Sequence, residues 1–171
     1  MVVEVRRATA DDAASVAAVH VRTWQVAYRG LMADEVLDRL SVEQREELWR
    51  QVLSGERSEA VYVAVDDGAV VGFCAVVAPS RDDDAESGVA EIAAIYIEPG
   101  VWRTGTGRAL MDVALADLRA SGWCSVTLWV LAENHQARAF YARFGFGPDG
   151  AEMIHEGSGE NEVRLRGSTT P

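Results

Sequence analysis

Two apolar, valine-rich runs, Ala60 to Val65 and Ala69 to Val77, are joined only through Asp66-Asp67-Gly68. Such runs are extended, because β-branched side chains suit a pleated surface better than a helix. The connection reads as a hairpin turn, since Gly68 tolerates the positive φ that a tight reversal needs. An antiparallel pair of strands is therefore the minimum any fold of this chain must contain.

The rest of the chain adds to that pair. Val2 to Arg7 is short and β-branched, and Thr9 with Asp12 then heads a capped helix running to about Arg22. Ser41 and Gln44 form a second capping box, followed by an apolar face of Leu48, Trp49, Val52 and Leu53. Pro79 to Gly88 carries Arg81, Asp82, Asp83, Asp84 and Glu86, which predicts a solvated, mobile loop in which chemistry is not expected. Val89 to Ile97 is a strand ended by Pro99, Gly105 to Ser121 a helix stopped by Gly122, and Ser125 to Val130 another strand. Gln136 to Phe144 suits a short helix, and Glu152 to His155 and Glu162 to Arg166 are two further strand candidates. The sum is an α+β, mixed α/β fold with a sheet of about six or seven strands, within a single domain spanning 1–171.

Composition narrows the function. A formal net charge of −11 argues against a nucleic-acid surface, which needs clustered Lys and Arg. The same charge can attract a cationic acceptor such as an amine. No apolar run approaches the ~20 residues of a membrane span, and Met-Val-Val-Glu-Val-Arg-Arg lacks the order of a signal peptide, so no membrane partner and a cytoplasmic location are expected. Cys74 and Cys124 read as small buried hydrophobes, and His20, His135 and His155 show no metal-ligand spacing.

The stretch richest in chemistry is Val101-Trp102-Arg103-Thr104-Gly105-Thr106-Gly107-Arg108-Ala109-Leu110, between a strand and a helix. A helix start presents unpartnered N–H groups and partial positive charge, Gly105 and Gly107 allow close backbone approach, and Arg103 and Arg108 add charge. A polyphosphate ligand fits this pattern, although Gly-x-Gly alone also serves a tight strand-to-helix turn. A dinucleotide fingerprint would want Gly or Ala where Leu110 stands, and a P-loop would want Lys-Ser/Thr after Gly107.

With those residues in view, the chain resembles the GNAT superfamily of N-acetyltransferases. Trp102 to Gly107 is similar to the family's pyrophosphate loop, Gln/Arg-x-x-Gly-x-Gly/Ala, departing from it only at Trp102. Asn134-His135-Gln136-Ala137-Arg138-Ala139-Phe140-Tyr141, closed by Phe144-Gly145-Phe146, resembles the family's Asn-x-x-Ala-x-x-Phe-Tyr segment. The strand Ala90 to Pro99 looks like the family's cofactor-pairing strand.

The resemblance implies a central, mostly antiparallel twisted sheet flanked by helices, and acetyl-CoA as cosubstrate with no metal. It places the cofactor against Ile95, Tyr96 and Ile97, the loop Trp102, Arg103, Thr104, Gly105, Thr106, Gly107 and Arg108, and Asn134, Ala137 and Phe140. It makes Tyr141 the candidate general acid and Glu91 the candidate base, in a direct transfer without a covalent enzyme intermediate. The acceptor is a small-molecule or peptide amine, with His20, Trp24, Tyr28, Arg29 and His155 as candidates for its wall, although aromatics four apart also suit a core. Family members are often dimers, so a homodimer is expected by resemblance. The alternative is a non-catalytic acyl-CoA-binding sensor or interaction module.

Overall fold

A computed structural model describes residues 3–56 and 59–170. Seven strands form one sheet: β1 (Glu4–Arg7), β2 (Glu59–Asp66), β3 (Ala69–Val77), β4 (Val89–Ile97), β5 (Ser125–Leu131), β6 (Gly147–Ile154) and β7 (Asn161–Ser168). Five α-helices accompany it: α1 (Ala13–Ala27), α2 (Asp34–Asp38), α3 (Val42–Gln51), α4 (Thr106–Ala120) and α5 (His135–Ala142). The strand order is β1-β2-β3-β4-β5-β7-β6, and every neighbouring pair is antiparallel except β4 with β5. No described helix is long and apolar enough to cross a membrane.

The hairpin forms as its sequence demands. Asp66 pairs with Ala69, and both Asp67 (φ 47) and Gly68 (φ 80) take left-handed conformations, which match the twist of the strands they connect. Along β2 and β3 the side chains alternate between two apolar faces. Tyr62, Ala64, Cys74 and Val76 meet Leu110, Met111, Ala114 and Leu118 of α4. Val61, Val63, Phe73 and Ala75 meet Ala13, Val16, Ala17 and Val19 of α1, with Trp49 of α3. Leu110 and Met111 are fully buried, each contributing about 2 kcal/mol by removal from water.

Several expectations are corrected. Helix α1 runs to Ala27 rather than Arg22, which puts Trp24 on it, with Tyr28 as its C-cap. At its start Asp12 accepts hydrogen bonds from the Thr9 amide and hydroxyl but is held mainly by Arg6, whose guanidinium lowers the Asp12 pKa to about 2. Strand β6 begins at Gly147, ahead of Glu152. Pro148 and Gly150 suggest a break, but β6 is an edge strand, and a bulge between Pro148 and Glu152 absorbs Gly150. Cys74 is buried as expected, but Cys124 is exposed, just ahead of β5 rather than within it.

The acidic loop between β3 and β4 is not loose. Arg164 of β7, its side chain 7% exposed, pairs with Asp82, Asp84 and Asp149, while Trp129 Nε1 donates to Asp82 at 2.9 Å. A buried guanidinium requires such compensation, and the carboxylate run supplies it. Arg81, in the same loop, reaches the candidate site.

Candidate active site

Strands β4 and β5 run side by side only where Val89 to Glu91 face Ser125 to Thr127, and beyond that they part. Parallel partners need slanted, evenly spaced bonds along both strands, so once they diverge the β4 edge has no strand to satisfy it. At the far end, the Ile97 carbonyl accepts from Trp102 Nε1 at 2.7 Å and Thr23 Oγ1 at 3.1 Å, so it points away from β3 into this gap. By strand alternation Ile95 and Ile97 turn their N–H groups the same way, while Tyr96 is opposed to Phe73 across the β3 ladder. Of the three expected backbone contacts, the gap is thus edged by Ile95 and Ile97.

Trp102 departs from the family pattern and has a task of its own: its single donor ties the loop to the end of β4. After it, Arg103 (φ 64) and Gly105 (φ 99) both take left-handed backbone, and Thr104 Oγ1 donates to the Val101 carbonyl at 2.7 Å. Gly105 is the N-cap of α4, with no side-chain cap on the helix, and the first intrahelical bond runs from Ala109 N to Gly105 O. The N–H groups of Thr106, Gly107 and Arg108 are therefore the orphan donors of a helix start. Thr106 is buried, whereas Arg103 and Arg108 are exposed.

The two loop glycines have different reasons. A Cβ on Gly105 would meet nothing within 4 Å, so what that position requires is the positive φ. A Cβ on Gly107 would lie 3.2 Å from the Phe140 ring and 3.3 Å from Ile97 Cδ1, so Gly107 lets α4 close on α5 and β4. At Gly107 the missing side chain thus also serves packing, beside the backbone approach to an anion expected of both glycines.

Helix α5 places the second motif beside the gap. Asn134 is its N-cap, with Oδ1 accepting from Ala137 N at 3.0 Å, which leaves the carboxamide NH₂ for other partners. Phe140 packs edge-on against Tyr141 and Phe144. Tyr141 is buried in the α4-side core, and burial, reinforced by Tyr96 and Cys74 nearby, drives its pKa far above the ordinary phenol value. It stays protonated at neutral pH, with its hydroxyl hydrogen available to a partner.

Glu91 is buried and committed. Its carboxylate accepts from the Arg81 amide and Nε at 3.1 Å each, and from the Arg81 guanidinium at 2.6 Å. Proton abstraction by Glu91 would compete with that pair. Arg81 in turn helps line a cavity of about 500 Å³ on the α1 face of the sheet, together with His20, Trp24, Arg45, Trp49 and Tyr96. Of the expected acceptor-wall residues, His155 also lines this cavity, its ring 5.9 Å from that of Trp24, and Tyr28 packs against Trp24 at 5.0 Å. Arg29 is turned outward into ion pairs with Asp34 and Asp38.

Three residues escaped the sequence reading. Arg45 and Arg81 escaped because ordinary surface arginines on a helix and in a charged loop carry no motif. Glu162 of β7 stands opposite Leu131, and burial raises its carboxyl pKa, with His155 opposing. It forms no ion pair among the described residues. Among the same residues no cluster suited to a metal ion occurs.

The sequence profile of the GNAT acetyltransferase family matches residues 22–146. The chain belongs to this family. The uncharacterized N-acetyltransferase YuaI of Bacillus subtilis is 32% identical over 133 residues, covering 77% of this chain and 73% of that protein. A mycothiol acetyltransferase from Beutenbergia cavernae is 43% identical over 82 residues, 48% of this chain but only 26% of that protein. Among solved structures, the PaiA N-acetyltransferase of Thermoplasma acidophilum in complex with coenzyme A superposes with a TM-score of 0.75 at 19% identity, covering 98% of this chain and 99% of that one. The GNAT fold, with its mostly antiparallel seven-stranded sheet, is thus present, and with N-acetyltransferases among its relatives this family member is an acetyltransferase.

Proposed function

We propose that this GNAT protein transfers the acetyl group of acetyl-CoA directly to a primary amine. The observation that best supports this is the convergence of two unsatisfied backbone surfaces, the open β4 edge and the uncapped start of α4. An extended pantetheine arm can add to a strand edge by backbone hydrogen bonds, and a diphosphate suits a helix N-terminus. When bound, acetyl-CoA supplies the activated acyl group.

The chain's own groups do the rest. The N–H groups of Thr106, Gly107 and Arg108 hold the diphosphate, and Arg103 and Arg108 add charge from solvent. The amides of Ile95 and Ile97 are the donors available to an acyl oxygen gaining charge. The Asn134 carboxamide and the walls formed by Ala137 and Phe140 complete that side. Tyr141 holds the proton for the departing thiolate.

An acceptor amine with pKa near ~10 must also lose a proton before it attacks. Because Glu91 is engaged by Arg81, we assign that step to Glu162, whose raised pKa suits a base and whose electrostatic neighbours include Tyr28, Tyr96 and His155. Glu91 is then the residue that positions Arg81.

Thiol release from acetyl-CoA across an amine library tests the reaction. Tyr141→Phe should lower kcat by a factor of about 10² or more while calorimetry shows unchanged acetyl-CoA affinity. Glu162→Gln should lower kcat/KM for the amine more than Glu91→Gln does. Tight acetyl-CoA binding with no thiol release from any amine would refute the transfer.

A further inference from the structure

The cavity on the α1 face contains an imbalance of hydrogen-bonding groups. Among the described residues, His20 Nε2 and Trp24 Nε1 are buried side-chain polar atoms without a partner in good hydrogen-bond geometry, Trp24 reaching only toward the Tyr96 hydroxyl, and both residues line this cavity. Trp49 Nε1 donates to His20 Nδ1 at 3.1 Å, so Nδ1 is the acceptor and Nε2 carries the hydrogen. The indole N–H can only donate. Both unmet atoms are therefore donors, in a setting where an unpaired buried donor is costly.

The charges point the same way. The guanidinium of Arg45 lies 5.7 Å from the centre of the Trp24 ring and forms no ion pair with a described residue. No Asp or Glu lines the cavity, in spite of the chain's net charge of −11. Glu162, beside Tyr96 and His155, stands behind the wall rather than in it, so a polycationic amine would find little counter-charge there. Arg81, Tyr96 and His155 also line the cavity, and the rest of its wall, including Leu40, Leu48 and Val52, is apolar.

We infer that this cavity receives its acceptor by a carboxylate, bound by His20 Nε2–H, Trp24 Nε1–H and Arg45. The acceptor class is then an amine that is also an acid with an apolar body, as in an α-amino acid. A planar oxyanion accepts several hydrogen bonds at once and pairs with a guanidinium, which satisfies all three groups together. This rests on the proposed acetyl transfer and names the acceptor for it.

The test uses matched triples at saturating acetyl-CoA: L-leucine, L-methionine and L-phenylalanine, each with its carboxamide and its decarboxylated amine. The acid of at least one triple should exceed both neutral-ended counterparts in kcat/KM by tenfold or more. Arg45→Gln should cut that advantage about tenfold, mainly by raising KM for the acid. Trp24→Phe, which keeps an aromatic side chain while removing the N–H, should lower it in the same direction.

Amides or simple amines turned over as well as the acids would overturn the inference while leaving acetyl transfer intact. If none of the nine is acetylated, calorimetric titration of the three acids into the protein with coenzyme A decides. Millimolar or tighter binding weakened by Arg45→Gln supports the carboxylate site, and no binding overturns it.

Discussion

Replacing His20 with Asn isolates one ionisation against the rest of the molecule. His20 is 6% exposed, and burial, with Arg45 adding to it, lowers its pKa from 6.5 to about 3. Folded, the ring is neutral across the working range; unfolded, it takes up a proton below about pH 6.5. A depressed histidine pKa therefore makes the unfolded state the better proton binder, and stability falls as pH drops through this window. Between pH 7 and pH 5 the two pKa values give a loss of about 2 kcal/mol from this residue alone. Asp12, at about 2, contributes its own loss only below the ordinary carboxylate range. Asn can accept the Trp49 hydrogen bond through Oδ1 but does not titrate. Urea unfolding of both proteins from pH 7.5 to pH 5 should show the stability gap moving by about 2 kcal/mol in favour of His20→Asn. Parallel curves would show that the ring is solvated and would refute its burial.

Three further outcomes are expected. Gly107→Val should destabilise by about 1–3 kcal/mol through overpacking against Phe140, and Phe140→Ala in the same chain should relieve part of that cost in a double-mutant cycle, whereas Gly105→Val should gain nothing from it. Arg164→Met leaves Asp82, Asp84 and Asp149 facing each other without their cation and should cost about 3–5 kcal/mol in chemical unfolding. A thiol reagent should titrate Cys124 in the native protein and reach Cys74 only on unfolding, since Cys74 is buried and burial lifts its thiol to about 12.

The central strands and helix α4 were legible because they carry strong local signals: valine-rich alternation, a turn of Asp and Gly, and an apolar stripe at helical spacing. β6 was half missed because Pro148 and Gly150 break a central strand but not an edge. The loop and α5 motifs were visible as patterns, but the work of single residues within them was not. That Gly107 makes room for Phe140, and that Trp102 fastens the loop to Ile97, depends on contacts between segments distant in the chain. The cavity was the least legible part. His20 and Trp24 stood out as residue types, but their unmet hydrogens follow from Trp49 lying against one of them. Arg81 looked like part of a solvated acidic loop, and the partners that hold that loop in place, the buried Arg164 with Trp129 and Glu91, lie far from it in the chain or carry no signal.

The parting of β4 from β5 has a kinetic corollary. Helix α4 covers one side of the sheet and the carboxylate-seeking cavity opens on the other, so under the proposed function the two reactants approach from opposite sides and meet only through the seam between these strands. Neither has to vacate a shared doorway before its companion arrives. Double-reciprocal plots should then intersect, as for a ternary complex, and a compound joining both halves through a linker would have to thread the seam itself.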